Sequence, residues 1–184
     1  MTDWIQTYSG KKITIRHSED NEYTLIDIAH ALSLQSRFVG HTEKLYSVAQ
    51  HSVIVSQVMP PQTPIKTKLI ALLHDASEAY LGNVSRPLKR FLIHYRDIEE
   101  AMQAGIYKYY DLEPTAEELE MVKFYDNCVL AIEYKQLMQQ VQTLYWNVLD
   151  PPTVLTNIII MPVPSDQACL LFKREYNSLI NKLN

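Results

Sequence analysis

The side chains with the greatest capacity for chemistry lie in a short stretch in the middle of the chain, Leu69 to Tyr80, which reads L-I-A-L-L-H-D-A-S-E-A-Y. It starts as an apolar run and then has His74, Asp75 and Glu78 within five positions. On an α-helix, residues three and four apart share a face, so Glu78 would lie one turn beyond the other two. Such polar side chains are costly to bury unless they are satisfied. The triplet therefore predicts either part of a metal site or the polar face of an amphipathic helix.

Two other apolar segments each carry one more metal-ligand type. His51 lies in a predicted helix from Tyr46 to Val58, and Asp126 lies on the apolar stripe of a helix predicted to begin at Thr115. Taken singly, each is more simply a hydrogen-bonded or surface residue, whereas together they fit a site between facing helices of a bundle. The predicted ligands are His51, His74, Asp75 and Asp126. Two imidazoles and two carboxylates suit Zn, Co, Mn or Fe(II) better than Mg, which would be an alternative at a second site.

The remaining pattern predicts the elements that would position these groups. Ser9-Gly10 is a turn dipeptide within the loosely alternating segment from Ile5 to Ile15, which predicts a small hairpin. Thr24 and Thr115 are each followed three residues later by an acidic residue, a helix-start signal. We therefore predict an all-α bundle with loops at 37–44 and 83–90 and helices at Tyr23–Leu34, Tyr46–Val58, Ile65–Leu81, Tyr95–Tyr110, Thr115–Val141 and Ser165–Leu183.

The composition limits the class of protein. The chain has 184 residues, of which 47% are hydrophobic, 21% are charged and only four are glycine, which is typical of a mostly helical fold in one domain, 1–184. A net charge of −4 argues against binding of duplex nucleic acid. Cys128 and Cys169 form no C-x-x-C pair and favour reduced core residues in the cytoplasm. We find no signal segment and no apolar run of about 18 residues, so no membrane contact is expected.

The order of the candidate ligands and the sequence motifs around them resemble those of the HD-domain metal-dependent phosphohydrolase superfamily. The segment from His74 to Lys89, H-D-A-S-E-A-Y-L-G-N-V-S-R-P-L-K, is similar to the signature of its 5′-deoxynucleotidase-like branch. Three upstream segments, D-I-A-H-A-L from Asp27, R-F-V-G-H-T from Arg37 and Y-S-V-A-Q-H-S from Tyr46, resemble compact bacterial and phage members, among them phage dATP triphosphohydrolases. The resemblance extends from about Ile5 to Glu133 and is loose beyond that point.

The resemblance implies a role for each candidate residue. It places a divalent metal ion at the four ligands named above, where the ion would acidify water and polarise a phosphoryl oxygen. Glu78 would be the catalytic acid/base or water-orienting carboxylate. Substrate would be bound by Arg37, Phe38, His41, Asn83, Arg86 and Lys89. The cations suit phosphate oxygens that gain charge during transfer, although Phe38 could instead pack in the core and Arg86 could be a solvated surface charge.

Asn83 is the main departure, because the branch usually has Asp at this position. A neutral amide either leaves the chain dependent on one tightly held ion or hydrogen-bonds a phosphate or sugar hydroxyl. The leading hypothesis is a cytoplasmic metal-dependent hydrolase of deoxynucleotides, with dATP as the preferred substrate. The alternatives are a 5′-deoxynucleotidase acting on monophosphates and a nucleotide-binding module without turnover. By analogy with relatives, we also expect a homo-oligomer.

Overall fold

The computed structural model describes residues 3–139, 152, 155 and 157–183. Within them the chain is mostly helical with one two-stranded sheet, so the predicted all-α class with a small N-terminal hairpin is confirmed. The strands are β1 (Trp4–Gln6) and β2 (Lys12–Thr14). The helices are α1 (Leu25–Leu34), α2 (Val48–Val58), α3 (Ile65–Leu72), α4 (Glu78–Leu81), α5 (Arg86–Lys89), α6 (Ile93–Tyr109), α7 (Ala116–Leu137) and α8 (Ser165–Leu183).

The hairpin is tied to the start of α1. Its strands are antiparallel, and Gly10 adopts a φ of +86° in the connecting turn, a conformation that favours glycine. Thr24 caps α1 by accepting a hydrogen bond from the backbone N–H of Asp27. The Asp27 carboxylate accepts hydrogen bonds from the backbone N–H and the hydroxyl of Ser9, both at 2.7 Å. One carboxylate therefore joins the turn of the hairpin to the first turn of the helix.

The C-terminal helix braces the elements that carry the candidate ligands. α8 packs against α1, α2 and α3, and it buries Phe172 completely. α2 and α3 also contact α7, so they are supported from both sides. Because α2 carries His51 and the chain after α3 carries His74, this packing fixes the positions from which both imidazoles project.

The predicted helix from Ile65 to Leu81 is wrong at its centre. α3 and α4 are separated by turns at residues 73–77. The face that His74, Asp75 and Glu78 were predicted to share does not form, because the first two lie in these turns and the third begins a new helix. The three side chains therefore project from a turn segment and the start of a short helix instead of from one continuous helix.

The amide of Gln103 in α6 causes this interruption. Its Nε2 donates to the carbonyl oxygen of Leu73 at 2.8 Å, and its Oε1 accepts the backbone N–H of Ser77 at 3.0 Å. In a continuous α-helix those two backbone groups would bond to each other. A side chain inserted at this point breaks the helical ladder, and here it satisfies both backbone groups that it separates.

The other boundaries differ less from expectation. The predicted capping box at Thr115 and Glu118 is present at the start of α7. α7 ends at Leu137, and the predicted end at Val141 lies outside the described residues. The predicted loop at 83–90 contains α5, a helix of four residues, so it is less irregular than predicted.

Candidate metal centre

Two histidine rings, with centroids 5.3 Å apart, each have one nitrogen hydrogen-bonded and the other unpaired. His51 of α2 is fully buried, and its Nδ1 lies 2.5 Å from Glu133 Oε1. His74 has its Nδ1 2.7 Å from the carbonyl oxygen of Ala71. A carbonyl only accepts, so Nδ1 of a neutral His74 carries the proton and Nε2 presents a lone pair. Both Nε2 atoms are buried and have no hydrogen-bond partner among the described residues, a costly state that a bound cation would relieve.

Two carboxylates lie beside these nitrogens. Asp126 Oδ1 of α7 is 3.2 Å from His51 Nε2 and 3.9 Å from His74 Nε2, without forming a hydrogen bond to either. One ligand atom from each of these three residues lies within 4.8 Å of the other two, so the group could hold a metal ion. Asp75 Oδ2 adjoins it, 3.3 Å from His74 Nε2 and 3.8 Å from His51 Nε2. The structure thus brings together all four predicted ligands, three as a compact group and Asp75 at its edge.

Asp126 is held in its charged form. Burial alone would raise the pKa of its carboxyl, but the neighbouring His51, His74 and Arg86 lower that pKa well below its usual range. Arg86 also donates a hydrogen bond to Asp126 Oδ2. The ionised carboxylate is the form that binds a cation, so the side chain needs no deprotonation before an ion can bind.

Glu133 is a fully buried acceptor that fixes the orientation of His51. Its carboxylate accepts hydrogen bonds from Tyr46 Oη at 2.8 Å and from Arg37 Nη2 at 2.9 Å, in addition to the contact with His51 Nδ1. Burial would raise the pKa of Glu133, but the charges of Arg37 and His51 lower it. A carboxylate behind a ligating imidazole fixes both its tautomer and its ring plane, and Glu133 is placed to do both.

Arg37 supports this arrangement more than it faces the substrate. Its Nε and Nη2 both donate to Glu133, at 3.2 and 2.9 Å, and the side chain is 12% exposed. Its Nη1 lies 3.8 Å from Asp75 Oδ2. Two of the five N–H donors of this guanidinium are therefore used by Glu133, and the predicted contact with phosphate would depend on the donors that remain.

Glu78 combines burial with an unpaired oxygen. It is 4% exposed at the start of α4, its Oε1 accepts a hydrogen bond from Lys89 Nζ at 3.2 Å, and its Oε2 has no partner. Burial raises the pKa of Glu78 to about 8, and the negative charge of Asp75 adds to this effect while Lys89 and Arg37 oppose it. At neutral pH the side chain can therefore carry a proton that it is able to give up.

A cavity of about 340 Å³, here called the basic cavity, opens beside the candidate ligands. Asp75, Glu78 and Asp126 form part of its wall. Its four cationic lining residues are Arg37, Arg86, Lys89 and Arg90. Arginine and lysine side chains around a concave site are suited to phosphate oxygens. The cavity thus combines anion-binding groups with carboxylates of the candidate metal centre.

Two of the other predicted substrate contacts lie at the basic cavity, and one does not. Phe38 and Asn83 line it, and the Asn83 amide donates to the carbonyl oxygen of Ser36 at 2.9 Å. Phe38 and the neighbouring Val39 have φ values of 54° and 53°, a strained conformation for residues with side chains, and such strain concentrates at functional sites. His41 is exposed and lies outside the lining of this cavity, and its role in substrate binding stays a prediction.

A second cavity of about 420 Å³, here called the acidic cavity, meets the basic cavity at Asp75 and Lys89. It carries Glu99 and Glu100 on its wall, and Lys89 is bonded to Glu99 Oε1 at 2.6 Å. The other lining residues are His74, Ser77, Gln103, Ala104, Tyr107, Pro114 and Leu119. The candidate centre therefore borders two cavities with opposite electrostatic character.

Gln103 and Glu99 contribute to the site although neither was predicted from the sequence. Gln103 holds open the turn that carries His74 and Asp75, and Glu99 anchors Lys89 against Glu78. Both lie on α6, whose sequence shows an ordinary amphipathic pattern and no motif. Glu133 gave a weak signal, because it follows Asp126 by seven residues on the same helix face.

Taken together, these features define an all-α protein with a two-histidine, one-aspartate centre that could hold a metal ion. No family model matches the chain. It is 36% identical over 178 residues to the Uncharacterized protein YfdR of Escherichia coli (strain K12), covering 96% of this chain and 95% of that protein. The chain therefore belongs to the same family as YfdR. It is also 30% identical over 110 residues to an uncharacterized protein of Rhodobacter capsulatus, covering 56% of each chain.

No helix in the described part of the chain combines the length and the apolar composition that a membrane crossing requires.

Proposed function

We propose that this protein is a metal-dependent phosphohydrolase of deoxynucleotides, converting dATP to deoxyadenosine and inorganic phosphates. The observation that carries the proposal is the pair of buried, unpartnered Nε2 atoms of His51 and His74 facing Asp126 beside a basic cavity. Buried polar atoms without partners are rare in proteins, and each needs an explanation. The choice of dATP rests on the resemblance of the motifs to compact phage enzymes.

His51, His74, Asp75 and Asp126 would hold a divalent ion such as Zn, Co or Mn, whose nitrogen- and oxygen-ligand preferences fit this set. When bound, the ion supplies a Lewis acid that acidifies water and polarises a phosphoryl oxygen. Each imidazole is already fixed on its Nδ1 side by Glu133 or by a backbone carbonyl. The planes of both rings are therefore fixed before an ion binds, which lowers the entropic cost of binding. Burial and Arg37 oppose protonation of His51, but Glu133 and Asp126 raise its pKa to about 9, so an ion would displace a proton from this ring.

Glu78 would act as the proton donor to the leaving oxygen. Its Oε1 is held by Lys89, while its Oε2 is unpartnered on a residue that lines the basic cavity. With a pKa raised to about 8 by burial, the carboxyl is protonated at neutral pH and close to the pH at which donation is most efficient. Lys89 and the free Nη1 of Arg37 would stabilise the charge that develops on the phosphoryl group.

A second candidate is a 5′-deoxynucleotidase acting on monophosphates. It is favoured by the state of the four cations of the basic cavity, because three are already paired with carboxylates of the protein: Arg37 with Glu133, Arg86 with Asp126, and Lys89 with Glu78 and Glu99. Of these four cations, Arg90 alone forms no ion pair with another described residue. Fewer free cations suit a single phosphate better than a chain of three.

The test is incubation of the purified protein with Co²⁺ or Mn²⁺ and each dNTP and dNMP, followed by chromatography of the products. Deoxyadenosine released from dATP supports the first candidate, and turnover confined to monophosphates supports the second. A Glu78→Gln variant is the matched control, since it keeps the volume of the side chain but cannot donate a carboxyl proton. Nucleotide binding without turnover under every metal would overturn both candidates and leave a nucleotide-binding module.

A further inference from the structure

The junction between α5 and α6 exposes an unusual concentration of large apolar side chains, here called the apolar corner. Its members are Leu88, Phe91, Leu92 and Ile93, all of them exposed. Phe91 is 81% exposed and Ile93 70%. Isolated apolar residues on a surface need no explanation, but a contiguous apolar patch marks a contact with another surface. None of these four side chains lines the basic cavity, so substrate binding does not account for them.

The apolar corner is flanked by positive charge. Arg90, which lies between Leu88 and Phe91 in sequence, is exposed and forms no ion pair in the described part of the chain. Arg86 also lies just before the corner and is exposed, but its guanidinium is paired with Asp126, so Arg90 is the cation that a partner would meet. A partner surface for this corner should therefore combine an apolar depression with negative charge.

The same chain carries such a surface elsewhere, here called the proline groove. It is an open groove of about 550 Å³ between the α2–α3 connection and α7. Its lining residues are Pro60, Gln62, Thr63, Pro64, Glu117, Glu120, Met121, Phe124 and Tyr125. Met121 and Phe124 expose 41% and 43% of their surface there. Neither Glu117 nor Glu120 forms an ion pair in the described residues, so the negative charge of the groove is available.

We propose that the apolar corner of one copy of this chain docks into the proline groove of a second copy. Phe91 would pack against the exposed side chains of Met121 and Phe124 in the groove, and Arg90 would approach Glu117 and Glu120. Aromatic and arginine side chains are the residues that most often dominate protein interfaces.

Charge also decides how the two copies are oriented. Pairing corner with corner would bring two copies of Arg90 together, and pairing groove with groove would bring Glu117 and Glu120 of both copies together. Like charges opposed across an interface are strongly disfavoured. Only the corner-to-groove contact joins opposite charges, and it uses two different surfaces of each copy. Such a contact repeats from copy to copy. It forms a closed ring if the rotation that relates neighbouring copies completes a full turn after a whole number of copies.

The assembly is tested by sedimentation velocity over a wide range of protein concentration, with wild type compared to Phe91→Asp and Phe124→Asp. Wild type should form species larger than a monomer. Each variant should raise the dissociation constant at least about 30-fold, as expected for an aromatic residue that dominates an interface. Circular dichroism melts establish that each variant is folded, and Glu120→Arg replaces Phe124→Asp if that variant is not.

Mixing the two variants separates the proposed contact from every other one. Phe91→Asp keeps an intact groove and Phe124→Asp keeps an intact corner, so an equimolar mixture should form a dimer that neither variant forms alone. A monomeric wild type, variants that still assemble, or a mixture that stays monomeric would each overturn the proposal. The measurement reads mass and needs no substrate, so its outcome is independent of the proposed hydrolase activity.

Discussion

The two cavities that meet at Asp75 and Lys89 differ in the charges that line them. The basic cavity has four cationic side chains, and its carboxylates, Asp75, Glu78 and Asp126, all belong to the candidate centre. The acidic cavity has two further carboxylates, Glu99 and Glu100, and its only cation among the lining residues is Lys89, which is bonded to Glu99. A phosphate group would be attracted to the first cavity and repelled from the second.

The side chain of Lys89 belongs to both cavities and connects them. Lys89 bridges Glu78 and Glu99, so a carboxylate from the acidic side positions a cation that serves the basic side. The acidic cavity then contributes through α6 to the geometry of the centre without binding the anion itself. Substitutions in the two cavities should therefore have separable effects on metal content, rate and substrate affinity.

The largest effect should follow from Asp126→Asn. The amide keeps the shape of the side chain but loses the charge opposite His51 and His74, so affinity for the ion should fall by more than about 100-fold, since even partners of ligands cost 10–100-fold when removed. Elemental analysis of the protein after gel filtration measures the loss. Glu100→Gln in the acidic cavity removes a charge of the same sign and should leave metal content unchanged. Equal metal content in the two variants would contradict the assignment of Asp126 as a ligand.

The next effect concerns Glu78 and separates rate from metal binding. Glu78→Gln should lower kcat by about 100-fold or more, the range expected on loss of general acid–base catalysis, while the metal content stays at the wild-type level. Steady-state kinetics with the best substrate and elemental analysis of the same preparation give both values. A fully active Glu78→Gln protein would show that another group transfers the proton.

A third prediction tests the phosphate preference of the basic cavity. Arg86→Ala removes a charged donor, and the loss of such a hydrogen bond costs about 1.5–3 kcal/mol, so kcat/KM should fall by about 10- to 100-fold, mainly through KM. Arg96→Ala, an exposed arginine of α6 outside both cavities, is the matched control. A larger effect on dATP than on dAMP would locate Arg86 beside the outer phosphates, and an equal effect would favour the monophosphate substrate.

Features that depend on residues close together in the chain were predicted correctly from the sequence, whereas features that depend on contacts between different helices were not. The caps at Thr24 and Thr115 were predicted because a cap involves residues only three positions apart. The interruption at residues 73–77 was missed because its cause, Gln103, lies on another helix. The convergence of the candidate ligands was expected from their types and order, but their distances depend on how α2 and α7 pack.

Because the turn that carries His74 is held by a contact from another helix, Gln103 should also affect metal affinity, although nothing in its local sequence indicates this. Gln103→Leu keeps the bulk but leaves Ser77 N–H without its acceptor and removes one of the two donors to Leu73 O, which keeps the N–H of Ala76. The turn should therefore close towards a regular helix and turn His74 away from His51. Metal affinity should fall by about 10-fold, although Gln103 contacts no ligand side chain. Gln103→Glu retains the acceptor for Ser77 and should recover part of the affinity. Titration of the metal-free variants with Co²⁺, followed by visible absorption, measures both constants.

The smallest effect is on stability and follows from the raised pKa of Glu78. In the unfolded chain this carboxyl titrates at about 4.5, whereas burial raises its pKa to about 8 in the fold. Between these values the unfolded state loses its proton first, so the native state is destabilised as pH rises through this window. Relative to Glu78→Gln, metal-free wild type should therefore lose about 1 kcal/mol or more of unfolding free energy between pH 5 and pH 8. Urea unfolding at several pH values measures the difference, and parallel pH profiles for the two proteins would mean that the carboxyl is already ionised in the native state, so that Glu78 acts as a base instead of an acid.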